Sequence, residues 1–389
     1  NNFLIPMALS GDQSYNKDTL RKFVSDSAYL TGLSSVNFEE VAKQRIYQSI
    51  NRAILGSLKD LKDSYRQLKQ RLNRIPFPTD FQNHHAVDPS LIMKKMTYSE
   101  FLRVNGEEGY EFSLFQESFL KFFGNELLNG VRLEEIELLD SLFTKKQISI
   151  EGEIERLSIT STNHLRESVL SSIRVLTLEF FTKLAVKKYN QHGPFVITTH
   201  ESVRLSEEMN MAFQDERFKS LCEDLLKCAR TKHQKFAWTK PLKPYMKYGR
   251  KDICRLLNWE KDETSTIYGY RTKHNTCPIF ITYHKSDDVE ASTNYGDEFL
   301  NRTTLRWFTR SRRTLETSEV KQILNHKKTG VDIHIFVKKD DDEGSSFYYL
   351  GQADVGEGSE RQEVMQDKKG NDVSVVTMKL LLRNEIPMN

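Results

Sequence analysis

Residues 266–285 read TIYGYRTKHNTCPIFITYHK, and residues 294–313 read NYGDEFLNRTTLRWFTRSRR. Both stretches alternate apolar or aromatic residues with polar ones, which is typical of β-strands that bury one face. Before about residue 235, apolar residues instead recur every three or four positions, as in helices with one buried face. The chain of 389 residues is also longer than one hydrophobic core usually fills. We therefore predict a multidomain protein, with a mainly α-helical region over 1–235 and an α+β domain over 236–389 that is built on a curved sheet or partial β-barrel.

The same periodicities predict the individual elements. Helices are expected over 38–50, 58–72, 115–128, 131–143, 165–186 and 216–232, with a short strand over 195–198. In the C-terminal domain, strands are expected over 264–271, 276–284, 331–338, 347–353 and 373–382, and short helices over 252–258 and 319–325.

Positive charge is concentrated at the end of the second stretch. The whole chain carries 57 Lys and Arg against 54 Asp and Glu, which gives a net charge of only +3. Residues 301–313 nevertheless hold five Arg and no acidic residue. Arginine supplies charge for phosphates, and flat rings supply stacking surfaces for bases. The same residue types also serve as core aromatics and solvated surface charges, so that simpler interpretation stands beside the nucleic-acid one.

Several other classes of protein find little support in the sequence. No apolar run reaches about 18 residues, so no membrane span is predicted. No Gly-Lys pair is present for a nucleotide-binding P-loop. The four cysteines form no Cys-x-x-Cys pair, which favours a reduced, intracellular protein without a zinc site.

A metal-dependent nuclease remains an alternative. Nucleases of the Asp…Glu-x-Lys kind place their carboxylates on adjacent strands, where the two can share Mg²⁺. Asp297, Glu319 and Lys321 supply the residue types. The segment SEVKQILN over 318–325, however, has the pattern of a helix opened by Ser318 rather than of a strand.

A family resemblance rests on several segments of the chain. RKDICRLLNW, TIYGYR, CPIFITYHK, LRWFTRSRR, DIHIFVKKDD and FYYLGQ resemble the C-terminal region of helicase-type restriction proteins, including the methylation-dependent, SauUSI-like type IV enzymes. In the N-terminal half, IPMALSGDQSYNK and VNFEEVAKQRIYQSI resemble the segment that follows their helicase motor. The resemblance implies a helical coupler over 1–235 and a target-recognition, DNA-binding domain over 236–389. It also implies recognition of 5-methylcytosine or 5-hydroxymethylcytosine in duplex DNA, by base flipping, as the specificity part of an ATP-dependent restriction endonuclease.

The resemblance further places the nuclease and helicase domains of the parent chain outside this sequence. We therefore expect no catalytic residue, metal or cofactor in this chain, with ATP and Mg²⁺ bound by the missing parts. The first residues, NNFLIPMALSG, lack both an initiator Met and the pattern of a signal peptide, which favours a fragment of a longer chain. The resemblance implies that the parent protein is cytoplasmic and prokaryotic. The expected partners are duplex DNA with a modified cytosine, the helicase and nuclease domains, and a second copy of the chain in a homodimer.

The resemblance and the residue chemistry together give candidate site residues. A flipped base must be stacked between rings, and its Watson–Crick edge must be hydrogen-bonded. The candidate pocket residues are Tyr268, Tyr270, Tyr295, Asp297, Trp307 and Phe308, with Asp297 as acceptor for the cytosine amino group. The candidate phosphate contacts are Lys247, Arg250, Lys251, Arg271, Arg302, Arg306, Arg310, Arg312 and Arg313. A dimerisation scaffold that binds DNA without reading it is the second alternative.

Overall fold

A computed structural model describes residues 58–84, 87–158, 165–282, 297–339, 344–366 and 371–386. The expected helix over 38–50 and the candidate residue Tyr295 lie outside these ranges. The described residues form two compact units. One contains residues of 58–148 and 187–235, and the other contains residues of 149–186 and 236–386. The segment 149–186 thus belongs to the same unit as the C-terminal sheet, although it lies before residue 235.

Helices dominate the described residues before 235. In chain order they are α1 Leu58–Leu72, α2 Pro78–Asn83, α3 Pro89–Met93, α4 Tyr98–Val104, α5 Leu114–Phe122, α6 Leu133–Lys145, α7 Ile150–Ser158, α8 Leu165–Leu176, α9 Lys183–Tyr189, α10 Glu207–Ala212 and α11 Glu216–His233. A small sheet of β1 (Gln147–Ser149), β3 (Ser202–Leu205) and β2 (Val196–Thr198), in that order, accompanies them. The predicted helical N-terminal half is therefore confirmed in outline.

Local chemistry explains where several of these helices begin. The side chain of Thr97 accepts a hydrogen bond from the amide of Glu100, and the Glu100 carboxylate accepts one from the amide of Thr97. This reciprocal pair satisfies donors that a helix start otherwise leaves unpaired. Asp215 similarly accepts bonds from two amides in the first turn of α11. The predicted single helix over 165–186 is wrong, because α8 ends at Leu176 and Leu178 adopts a left-handed φ of 66°.

The second unit is built on a mixed eight-stranded sheet. Its strands are β4 Lys247–Gly249, β5 Thr276–Thr282, β6 Glu298–Phe299, β7 Thr304–Phe308, β8 Asp332–Lys338, β9 Ser346–Val355, β10 Arg361–Gln366 and β11 Asp372–Leu382. The order is β5-β8-β9-β11-β7-β6, with β10 paired to β11 and β4 paired to β9. Strands β5 and β8 are parallel, and the other pairs are antiparallel. Helices α12 (Arg250–Leu256), α13 (Ser318–Leu324) and α14 (His326–Thr329) complete the unit, and both predicted short helices are confirmed.

The sheet curls strongly without closing. Tyr270 bridges to Ile279 on β5, yet its ring meets the ring of Trp307 on β7 edge-on, with centroids 4.9 Å apart. In a flat sheet, strands four positions apart would lie about 19 Å from each other. The two ends of the sheet therefore approach, and no ladder between β5 and β7 joins them within the residues described. The predicted C-terminal α+β domain is confirmed as a unit with a mixed sheet, and the sheet does not form a closed barrel within the residues described.

The concave side of the curled sheet holds the hydrophobic core. Leu305, Trp307, Ile279 and Met378 lie in it with the Tyr270 ring. Helix α13 adds Val320 and Ile323, both completely buried. On the opposite side of β5, β8 and β9, the rings of Phe280, Phe336, Phe347 and Tyr349 form a second buried aromatic group.

Gly351 bends β9 through a β-bulge. Ile335 pairs with Gly351 and Phe336 with Tyr349, so Leu350 faces no residue of its own on β8. Gly351 has a φ of 117°, and a Cβ there would lie 2.5 Å from the Asn384 Nδ2 atom. Gly351 thus lies inside strand β9 rather than at a turn between strands.

We expect Gly351→Ala to destabilise the second unit by about 1–3 kcal/mol, because a side chain strains this backbone conformation. Gly358→Ala is the matched control. Gly358 also has positive φ, but a Cβ there would meet no atom within 4 Å. Urea titrations followed by circular dichroism give both free energies of unfolding. If the urea midpoint of Gly351→Ala were no lower than that of Gly358→Ala, the expected crowding of Asn384 by the new Cβ would be contradicted.

In the described part of the chain, all four cysteines are buried thiols and no helix is long and apolar enough to cross a membrane.

Candidate nucleic-acid interface

Strand β7 sends alternate side chains to opposite sides of the sheet. Leu305 and Trp307 point into the core, and Arg306 and Phe308 point outward. On β11, Lys379 lies directly opposite Arg306. Residues opposite each other on paired strands share a face, so the two cations lie side by side on the outer surface.

The outward pairing extends to β10. Thr377 on β11 lies opposite both Phe308 and Arg361. Arg306, Lys379 and Arg361 are exposed, and Phe308 is half-buried beneath the Arg306 guanidinium at 5.9 Å. We call these four residues, Arg306, Phe308, Arg361 and Lys379, the cationic strip.

Arginines of the candidate phosphate set near β7 have acidic partners. Arg306 pairs with Glu298 at 3.1 Å, and Arg302 pairs with Glu385 at 3.4 Å. These pairs are well exposed, and exposed ion pairs contribute only about 0–1 kcal/mol. A phosphate can therefore replace either carboxylate at little energetic cost.

The remaining candidate phosphate contacts lie elsewhere in the unit. Lys247 sits 4.6 Å above the Tyr348 ring near the start of β9, whereas β11 pairs with the end of that strand. Lys251 lies 5.7 Å from the Phe181 ring, and Arg271 pairs with Glu263 at 2.9 Å. These cations do not share one face with β7.

Arg250 is the member of that group least suited to a phosphate contact. Its guanidinium stacks between the rings of Phe280 and Phe347, at 5.0 and 5.2 Å. Burial lowers the pKa of this guanidinium from its usual value. A cation so placed stabilises the aromatic group on the convex side of the sheet.

The described candidate pocket residues lie in different environments. Tyr270 and Trp307 are 1% and 3% exposed and belong to the core, whereas Tyr268 is 70% exposed. The Asp297 carboxylate accepts a hydrogen bond from the backbone amide of Phe308 at 3.0 Å. Residues two apart in a strand share a face, but Gly269 between the tyrosines has a φ of 78° and the predicted strand over 264–271 is not formed. The two tyrosines consequently face different environments.

A second cluster forms where the loop after β7 meets α13. It consists of Tyr270, Arg310, Arg313 and Glu319, and we call it the seam cluster. The Arg310 guanidinium lies 4.9 Å from the Tyr270 ring centroid and 2.5 Å from the Glu319 carboxylate. The Arg313 Nε atom lies 3.7 Å from the same carboxylate oxygen.

Burial and charge act together on the seam cluster. Burial, followed by the negative charge of Glu319, raises the pKa of the Tyr270 hydroxyl far above its usual value, while Arg310 and Arg313 oppose that rise. Burial also raises the pKa of the neighbouring Cys277 thiol to about 12. Both groups are therefore uncharged at neutral pH, and the fixed charges of the cluster are two guanidiniums and one carboxylate.

The three residues of the alternative nuclease site have separate partners. Asp297 holds the Phe308 amide, Glu319 pairs with Arg310, and Lys321 pairs with Glu316 at 2.5 Å. Glu319 and Lys321 lie on a helix, as the sequence predicts, although Thr317 rather than Ser318 occupies the capping position. Among the described residues, no group of three or more His, Cys, Asp or Glu side chains is placed to hold a metal ion.

Sequence reasoning missed Lys379, Arg361 and the hydroxyl of Tyr270. Each cation stands alone in its strand, so no local cluster marks it. Their proximity to β7 follows from the register of β11 with its two neighbours.

Two family models match the chain. One, described as a domain of unknown function (DUF8090), matches residues 61–237, and another, described as a domain of unknown function (DUF3427), matches residues 242–389. No curated protein matches the chain.

Three solved structures of restriction enzymes show a distant similarity. The DNA modification-dependent restriction endonuclease AspBHI aligns at 14% identity with a TM-score of 0.26, over 37% of this chain and 75% of its own. The sulfur-binding and SRA domains of ScoMcrA, complexed with phosphorothioated DNA, align at 11% identity with a TM-score of 0.25, over 67% and 85%. The type IV phosphorothioation-dependent restriction endonuclease ScoMcrA aligns at 10% identity with a TM-score of 0.24, over 75% and 58%. Scores this low do not establish a shared fold.

Proposed function

We propose that the second unit recognises duplex DNA carrying a modified cytosine, 5-methylcytosine or 5-hydroxymethylcytosine, as the specificity part of an ATP-dependent type IV restriction endonuclease. The observation that supports DNA binding best is the cationic strip. It presents three exposed cations and a half-buried ring on one outward face of β7, β10 and β11. Cations on a sheet surface, with weak internal partners, suit a phosphate backbone.

The modified base is supported by the sequence resemblance to SauUSI-like enzymes, which is strongest over 245–352. Base flipping requires a ring that can stack on the extruded base. Among the candidate pocket residues that the structure describes, Tyr268 is the most exposed aromatic residue, at 70%. We assign the stacking role to Tyr268, and we assign core packing to Tyr270 and Trp307.

Arg306→Ala combined with Lys379→Ala tests the phosphate role. Loss of two phosphate contacts should weaken binding to methylated and unmethylated duplexes alike, and reduce the slope of log K against log salt by about 1.8. Fluorescence anisotropy at several salt concentrations measures both quantities. A loss confined to the methylated duplex would contradict the phosphate role.

Tyr268→Ala tests the stacking role. Stacking of a base on an aromatic ring is worth about 1–3 kcal/mol, so the preference for methylated DNA should fall by roughly 5- to 150-fold. Trp238→Ala is a matched control, because Trp238 is a second exposed ring, at 56%, outside the candidate pocket. An equal loss of preference in both variants would argue against a specific role for Tyr268.

The scaffold alternative makes a different prediction for DNA binding by the wild-type protein. A module that binds DNA without reading it should bind methylated and unmethylated duplexes with equal affinity and equal salt slopes. The affinities and salt slopes of the wild-type protein for the two duplexes therefore decide between a reader of modified cytosine and a scaffold, before any variant is made.

A further inference from the structure

Backbone hydrogen bonds position the two arginines of the seam cluster. The Thr309 amide donates to the Val376 carbonyl at 2.8 Å, and the Arg313 amide donates to the Ser374 carbonyl at 3.1 Å. The loop after β7 thus runs along the first half of β11. The loop that carries both arginines is therefore tied to β11 through its backbone at Thr309 and Arg313.

Glu319 is the carboxylate that faces both guanidiniums. One of its oxygens lies 2.5 Å from Arg310 and 3.7 Å from Arg313. The cluster still carries one net positive charge, because a single carboxylate faces two arginines.

Three donors of the cluster stay unsatisfied. The Nε atoms of Arg310 and Arg313 and the hydroxyl of Tyr270 are buried and have no hydrogen-bond partner among the described residues. Tyr270 is only 1% exposed, so its hydroxyl is also shielded from bulk water. Buried donors without acceptors are costly, and such a group needs an explanation in a folded protein. Unsatisfied donors beside two guanidiniums are suited to an oxyanion, because charged oxygens accept hydrogen bonds from arginine strongly.

We propose that the seam cluster is a phosphate-binding site, in which the Glu319 carboxylate occupies the anion position until a phosphodiester group of DNA replaces it. This inference rests on the proposed function. It adds a competition between the Glu319 carboxylate and a DNA phosphate for Arg310 and Arg313. The planar guanidiniums of arginine bind phosphate oxygens through paired N–H donors. The Tyr270 hydroxyl supplies a further donor to the phosphate.

Glu319 is placed to leave the site when phosphate enters. It is the second residue of α13 and its side chain is 18% exposed, so a rotation about its side-chain bonds carries the carboxylate into water. The core contacts of α13 come from Val320 and Ile323, and the rotation leaves them unchanged.

Glu319→Gln and Glu316→Gln form a matched pair for the test. Each removes one negative charge, and the two positions are three residues apart. Glu316 is 83% exposed and pairs with Lys321 rather than with the seam arginines. General electrostatics therefore changes equally in both variants, and only Glu319→Gln removes the competing carboxylate.

We expect Glu319→Gln to bind duplex DNA about 5- to 10-fold more tightly than wild type, with a salt slope steeper by up to about 0.9. Glu316→Gln should stay within about twofold of wild type, because removal of an exposed charge has a small effect. Arg310→Ala should abolish the gain when it is added to Glu319→Gln. Thermal denaturation of each variant without DNA checks that it is folded.

The outcomes separate this inference from the proposed function. If wild type binds DNA and the two Gln variants behave alike, the competition by Glu319 is overturned while DNA recognition stands. If wild type binds no duplex at low salt, the proposed function fails, and inorganic phosphate becomes the probe. Thermal stabilisation by phosphate that is larger in Glu319→Gln than in Glu316→Gln would support the anion site in that case. Equal or absent stabilisation would overturn it.

Discussion

Trp307→Ala should destabilise the second unit by about 3–5 kcal/mol, because it empties a large volume in the concave core. Trp307 is 3% exposed, and its ring contacts Tyr270 edge-on across the open side of the curled sheet. The substitution thus removes the contact that joins the two ends of the sheet. Urea titration followed by circular dichroism measures the loss, and the transition of the second unit is the relevant one if the two units unfold separately.

Tyr268→Ala is the control for this prediction. It also deletes an aromatic ring near the seam cluster, but the ring is 70% exposed, so the free energy of unfolding should change by less than about 0.5 kcal/mol. If Trp307→Ala were equally harmless and instead reduced the preference for methylated DNA, Trp307 would be a base-stacking residue after all.

The second unit should lose stability in acid through His334. The imidazole is buried, and its Nδ1 atom lies 2.9 Å from the Tyr349 hydroxyl. Burial, together with the positive charges of Arg383 and Lys240, lowers the pKa of His334 to about 3. The unfolded chain takes up this proton near pH 6.5, and the folded protein does not until about pH 3. The free energy of unfolding should therefore fall as the pH falls from about 6.5, by roughly 1.4 kcal/mol per pH unit, or about 3 kcal/mol by pH 4.

His334→Gln isolates this contribution from other acid-titrating groups. Asp354, whose pKa Arg383 lowers through a direct hydrogen bond, also weakens the fold in acid and is present in both proteins. Glutamine keeps an acceptor for the Tyr349 hydroxyl but does not titrate. The difference in unfolding free energy between the two proteins, measured from pH 7 to pH 4, should change by about 3 kcal/mol. A difference independent of pH would show that the folded and unfolded chains take up this proton at the same pH.

The pattern of apolar residues was enough to predict the longer elements, and the reason is local. A buried face repeats every two residues in a strand and every three or four in a helix. The helix over 58–72 buries one face, and the strands over 276–282 and 332–338 are apolar runs buried on both faces. Each was predicted close to its observed bounds. Short elements were missed, because so few residues carry no clear period. They are the strands β1, β3, β4, β6 and β10 and the helices α2, α3, α4, α7, α9 and α10.

Backbone conformation and burial explain why the site could be predicted only in part from the sequence. Alternation alone assigns Tyr268 and Tyr270 to one face, but the left-handed turn at Gly269 separates an exposed ring from a buried one. Residue type also cannot distinguish an arginine on the surface from Arg250, which lies stacked between two phenylalanine rings.

By itself, the sequence determined that helices give way to a curved sheet near residue 235, and that arginines crowd the end of β7. Those features depend on neighbours along the chain. Only the tertiary structure decided that Lys379 and Arg361 join Arg306 and Phe308 on one face, and that Glu319 lies against two arginines. Such contacts depend on strand register and on the curl of the sheet, which bring together residues far apart in the chain.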